Sequence, residues 1–242
     1  MAQADPIVFD RGLPTANLNN AAGANRSNVV WGDTPDWFLG DDFTISGSGA
    51  YNVSSIRTWI AGGNTPGDDL STLYSSLSLR LGPGGPNAMT QSFTSFTATK
   101  VQYADATNYQ NTSGTFRDLW QIDWNTAGLV INAGTQTNFG VSGVTTNAGQ
   151  AALGFANVVF LHSSNAALSG STQEGADGQL RGWENVSGAW SYDYNSNGNG
   201  WDKVSDANVQ VFAAPVPEPA SMLALAGGLA LLARRRKAAK NS

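Results

Sequence analysis

The chain has 242 residues and no cysteine, enough length to bury one large core, with thiol nucleophiles, thiolate metal sites and disulfide staples all excluded. Only 13% of residues are charged against 41% hydrophobic, with 28 glycines, so the polar surface is built mainly from Ser, Thr, Asn and Gln. Arg234, Arg235, Arg236, Lys237 and Lys240 against Glu218 give the last 27 residues a net +4; with a total of −5, the rest stands at −9, an acidic body without a basic patch, which excludes nucleic acid as a partner.

At the N-terminus, Ala2-Gln3-Ala4 before Asp5 has the small-x-small form of a signal-peptidase site, so residues 1–4 read as the remnant of a signal-peptide cleavage region. The alternative is a natural start at Met1 and a chance Ala-x-Ala.

From Asp5 onward the periodicity is that of strands. Leu73, Leu77, Leu79 and Leu81 share one parity with Tyr74, Ser76, Ser78 and Arg80 on the other, and Phe116, Trp120, Ile122 and Trp124 alternate likewise. Tyr51 to Ile60 and Phe93 to Val101 are β-branched or aromatic runs. Shorter ones lie at Ile7–Phe9, Asn28–Trp31, Asp42–Ile45, Gly134–Val144, Asn157–Leu161, Ala189–Tyr194 and Asn208–Phe212, which makes eleven strands. Glycine- and proline-rich stretches at 62–67 and 82–87 separate them as loops. No segment holds a 3.6-residue period through three turns, and no fixed repeat points to a propeller or solenoid.

Many short alternating strands in one chain predict an all-β fold, an antiparallel β-sandwich of jelly-roll type. The segment order, with Asp41-Asp42-Phe43-Thr44-Ile45, Tyr51 to Ile60 and a last strand Asn208 to Phe212, resembles a secreted β-sandwich module of bacterial surface proteins. That resemblance implies architecture rather than activity.

No catalytic residue emerges. His162 is the only histidine; Ser163 and Ser164 follow it without a glycine elbow or an oriented acid, and it reads as a structural strand-end residue. The pairs Asp41-Asp42 and Asp68-Asp69, if on strands, point to opposite faces and cannot share one substrate atom. Glu174 and Glu184 are the only body glutamates that a two-carboxylate glycosidase would have.

Asp193, Asn195 and Asn197 before Gly198 place hard oxygens as the first half of a calcium loop does, with Asp202 as a further ligand. Its alternative is a polar turn, because the twelfth position of such a loop is Val204. Trp183, Trp190, Tyr192, Tyr194 and Trp201 cluster nearby and form either a glycan-stacking platform or core.

The C-terminal tail has three zones. Ala213 to Pro219 is a Pro-rich linker, Ala220 to Ala233 is an apolar helix former, and Arg234, Arg235, Arg236 and Lys237 act as a membrane stop. As a helix those 14 apolar residues span about 21 Å, short of the roughly 30 Å hydrocarbon core, and the linker above and snorkelling arginines below lengthen the span. Basic residues at the far end put the body outside the cell.

With Pro217, Glu218 and Pro219 in front, the ordered combination resembles the PEP-CTERM sorting signals of Gram-negative bacteria that make exopolysaccharide. The resemblance implies recognition by an exosortase, a membrane transpeptidase, with processing near Pro217 to Pro219. A plain inner-membrane anchor is its alternative. The domains expected are thus 1–4, a sandwich over 5–212, a linker over 213–219, and an anchor helix with basic tail over 220–242.

The function expected is that of an exported, non-enzymatic cell-surface or extracellular-matrix protein. A carbohydrate-binding module recognising exopolysaccharide, with calcium, is the alternative.

Overall fold

A computed structural model of the chain describes residues 5–14, 26–27, 37–62, 69–83, 88–101, 109–110, 116–154, 156–164, 170–186, 189–195 and 206–217. In chain order the elements are β1 (Ile7–Asp10), β2 (Arg26–Ser27), β3 (Trp37–Thr44), β4 (Ala50–Ala61), α1 (Leu70–Leu73), β5 (Tyr74–Pro83), β6 (Gln91–Phe93), β7 (Phe96–Val101), β8 (Tyr109–Gln110) and β9 (Phe116–Arg117). They continue with β10 (Leu119–Asn132), β11 (Gln136–Thr145), α2 (Asn147–Leu153), β12 (Phe160–Ser164), β13 (Arg181–Val186), β14 (Ala189–Asn195), β15 (Asp206–Ala207) and β16 (Val209–Pro215).

One sheet runs β1-β16-β4-β10-β7, with β12 joining β4 and carrying β2 and β15; the other runs β14-β13-β3-β11-β5-β6. All pairings within both are antiparallel. One core joins them, with Val53, Ile56, Ile122, Trp124 and Val211 from the first sheet against Leu39, Phe43, Leu79, Leu81, Phe139 and Val141 from the second. This is the all-β sandwich that the alternating pattern predicts.

The alternation is read correctly along β5, where Leu77, Leu79 and Leu81 are buried, and along β10, where Trp120, Ile122 and Trp124 are buried. Leu73 departs from it, because Asp69 caps a short helix that ends there and the strand begins at Tyr74. β10 also runs past Trp124 to Asn132 through a bulge against β4, where Gly128 takes a φ of +91° and Thr126 donates its hydroxyl to the Val53 carbonyl. The single strand expected over Phe93 to Val101 is two: Phe93 ends β6 in one sheet and Phe96 begins β7 in the other. The chain turns from sheet to sheet at Thr94-Ser95, where the Ser95 carbonyl accepts from Asn125 N–H at 2.9 Å. The expected strand Asn28–Trp31 and the C-terminal helix lie outside the described residues.

β16 does not stop at Phe212. It pairs with β4 through Ala213, Ala214 and Pro215, so three residues expected in the linker belong to the sheet. Alanine and proline are poor strand formers, so here the pairing with β4 overrides local propensity.

Gly40 of β3 stands opposite Gly140 of β11, and a Cβ built there would lie 1.8 Å from the Phe139 carbonyl oxygen. Because that obstacle is backbone, Gly40→Ala must push the strands apart. The expected cost is about 3 kcal/mol or more, at the upper end of overpacking effects, read as a lower urea midpoint.

Candidate functional site: a buried charge hub and the sorting junction

The most heavily charged part of the described body is one the sequence reading did not assemble. Arg11 follows β1 and is only 1% exposed. Its Nη1 is 2.9 Å from Asp41 Oδ2 and its Nη2 is 3.4 Å from Asp42 Oδ1, while Nε and Nη2 donate to the Glu174 and Gly175 carbonyls at 3.0 Å each. Arg181, the first residue of β13, approaches from the other side: Nη1 lies 2.7 Å from Asp41 Oδ1 and 3.0 Å from Asp42 Oδ2, and Nη2 lies 2.5 Å from Asp177 Oδ2.

Asp41 also accepts from the N–H groups of Ala207 at 2.9 Å and Asp42 at 2.8 Å, and Asp206 accepts from Asp177 and Gly178 N–H at 2.8 and 2.9 Å. The hub ties β1, β3, the 170–180 loop, β13 and β15 to one another. Asp41 and Asp42 therefore do share one partner atom, contrary to the expectation from strand parity. β13 meets β3 only as far as Arg181 opposite Gly40, and a guanidinium lying beyond that point at the strand edge is reachable from both faces.

His162 sits within β12, fully buried, with Nδ1 2.6 Å from Asn208 Oδ1. The Asn208 amide nitrogen already donates to the carbonyls of Arg11 and Gly12, so its oxygen is the acceptor and Nδ1 of His162 carries the proton. It stands in the middle of its strand rather than at the end as expected, and Asn208 connects it to the Arg11 backbone carbonyl.

Burial pushes Asp41 up to about 7, with Arg11 and Arg181 pulling it down and Asp206 adding to the rise. Burial also raises Asp206 and lowers His162 to about 4, the Asn208 bond opposing the latter. The signs differ. Asp41, raised above its unfolded value near 3.8, stabilises the fold most at low pH and loses that contribution as pH climbs to about 7. His162, lowered from 6.5, contributes fully above 6.5 and loses it as pH falls through about 4. Between pH 4 and 6.5 the two oppose each other. His162→Gln should unmask a stability that falls with rising pH, and Asp41→Asn one that rises, each by about 1.4 kcal/mol per pH unit at most. Urea unfolding at several pH values checks this; parallel profiles for both variants would contradict it.

One oxygen each from Asp41, Asp177 and Asp206 lie within 4.8 Å of one another, as in a metal-ligand set. The cations already facing these carboxylates are guanidinium groups, and Asp206 is turned to backbone N–H donors. The arrangement is that of a brace. Beside it opens a cavity of about 470 Å³ lined by Phe9, Arg11, Asp42, Thr44, Ser46 and Glu174, among others.

Of the residues read as a glycan platform, Trp183 is fully buried in β13 and so presents no ring to solvent. This corrects its place in the platform: its strand lies inside the second sheet, between β3 and β14. Trp190, Tyr192 and Tyr194 lie on β14, with Tyr192 paired to Trp183 in register. Asp193 and Asn195, read as calcium ligands, are on that paired strand too, whereas Asn197, Trp201 and Asp202 are outside the described residues. Asp69 caps α1 through Ser71 N–H, Glu174 accepts from Asp10 N–H at 2.7 Å, and Glu184 is on β13; Asp68 is outside the described residues.

The sorting junction lies where the chain leaves β16. The last sheet bond runs from Val216 N–H to the Ala50 carbonyl at 2.8 Å, so Pro217 is the first residue free of the sheet, and it is exposed. Glu218, Pro219 and Arg234 to Lys237 are outside the described residues. Among the described residues no helix is long and apolar enough to cross a membrane. Residues 215–237 match the PEP-CTERM protein-sorting motif. No curated protein and no solved structure matches the chain.

Proposed function

We propose that this chain, whose PEP-CTERM motif is that of exported proteins sorted through an exosortase, is a non-enzymatic cell-surface or extracellular-matrix protein of a Gram-negative bacterium. Its cargo is the β-sandwich, of jelly-roll type. One observation carries the reading: the motif begins at Pro215, where β16 ends, so the folded body and the sorting signal are one continuous segment.

In this reading the apolar run holds the tail in the inner membrane and the arginines stop it from passing through. Pro217 and Pro219 lack N–H groups and so cannot donate in a helix or a sheet, which favours recognition of this segment by the transpeptidase. The body needs no chemistry of its own. The hub's carboxylates are engaged by arginines and backbone donors, which supports a brace rather than an acid–base pair.

The test is replacement of Pro217, Glu218 and Pro219 together by alanine in the native host. The sandwich should fold unchanged while the protein accumulates in the membrane fraction; unaltered delivery to the surface or medium would overturn the sorting role. The carbohydrate-binding alternative, with calcium at Asp193, Asn195, Asn197 and Asp202, predicts a tryptophan fluorescence shift when host exopolysaccharide is added, one that Trp201→Ala abolishes.

A further inference from the structure

The chain leaves the sandwich after Val216, whose N–H makes the last bond to the sheet. Among the described residues the exposed large hydrophobic side chains are Ile7, at 46%, and Val130, at 51%. Strand register puts both near the exit. Val130 of β10 pairs with Asn52 of β4, which pairs with Ala214 of β16, one residue before Pro215. Ile7 of β1 pairs with Phe212 of β16. Ile7 and Val130 thus flank the corner where the tail departs, one on β1 and one on β10, with β16 and β4 between them and Asn52 and Ser55 on β4 in the intervening positions.

The length of the tether limits what this corner meets. Val216 is held by its bond to Ala50, and the uncharged apolar run from Met222 to Ala233 begins six residues later. At 3.3–3.6 Å per residue those six span at most about 20–22 Å. The headgroup zone outside the hydrocarbon takes up roughly 5–8 Å of that on each side. With the run inserted, the exit corner is tethered within about 12–17 Å of the headgroup surface, close enough to reach it, and there two exposed apolar side chains gain by burial.

We propose that this corner is a membrane-contact surface: while the tail is inserted, Ile7 and Val130 rest in the interfacial zone of the lipid bilayer. The proposal rests on the reading of the tail as a membrane segment. Lipid is favoured over a protein partner because the tether alone brings it within reach. Neutral lipid is the fitting probe, since the body has a net charge of −9 and would be repelled by anionic headgroups.

The absence of native cysteine lets single labels report position. The full chain would be reconstituted in phosphatidylcholine vesicles with a nitroxide at Ile7→Cys, Val130→Cys, Leu225→Cys in the tail, or Gln150→Cys on α2. Gln150 is exposed, and α2 follows the end of β11 that lies away from the exit. The expected result is that labels at 7 and 130 are severalfold less accessible to an aqueous relaxation agent than the label at 150, with the label at 225 in hydrocarbon. Labels at 7 and 130 as accessible as 150, with 225 buried in lipid, would overturn the contact and leave the anchored tail standing. A water-exposed label at 225 would overturn both. Protection at 7 and 130 only when exosortase is added would assign the corner to the enzyme and overturn the lipid assignment.

Discussion

Arg11→Met is expected to lower the free energy of unfolding by about 3–5 kcal/mol, the usual cost of removing one partner from a buried ion pair. Methionine retains most of the aliphatic stem and removes the guanidinium, which also lies over the Phe9 ring with Cζ 5.3 Å from its centroid. Asp41 then keeps only Arg181 as a cation, and the Glu174 and Gly175 carbonyls lose their donor. The loss arises from uncompensated burial rather than from the intrinsic worth of the pair. Replacing Arg11 and Asp41 together by apolar residues should therefore recover part of it, a coupling that a double-mutant cycle by urea unfolding measures. A single-variant loss under 1 kcal/mol would mean that the hub is not a brace.

Trp124→Ala should cost a comparable about 3–5 kcal/mol for a different reason. The ring is fully buried between the sheets, meets Phe96 edge-on at 5.1 Å between centroids, and donates from Nε1 to Thr58 Oγ1 at 2.9 Å. Truncation leaves a cavity in the shared core and removes the indole partner of a buried hydroxyl. Trp124→Phe should lose less, because it retains most of the volume and forfeits the hydrogen bond. Thermal unfolding of the two variants side by side separates packing from polar satisfaction; equal losses would show that the cavity contributes nothing.

The strands facing the core were legible wherever one face is buried and the other wet, as along Leu77, Leu79 and Leu81 or Trp120, Ile122 and Trp124. β13 was missed because Arg181, Gly182 and Glu184 interrupt its apolar parity, although Trp183 is buried as deeply as any residue of the core. The hub was illegible for a topological reason: Arg11, Asp41, Arg181 and Asp206 meet only after the sheets pack, and no local spacing announces it. The available signal was scarcity, since an arginine in so weakly charged a body is a costly residue to place without a partner. The sorting tail was readable because its three zones act in sequence order and need no fold. Its boundary with the body was not, since Ala213 to Pro215 suit a linker better than a strand, and only pairing with β4 draws them into the sheet.

Intact mass of the protein recovered from its native host, in membrane, surface and medium fractions, tests the account most directly. The account predicts a surface or medium species ending near Pro217-Glu218-Pro219, with the sandwich complete through Pro215. Surface or medium protein that retains Arg234 to Ser242 would contradict it, leaving the tail as an anchor without processing.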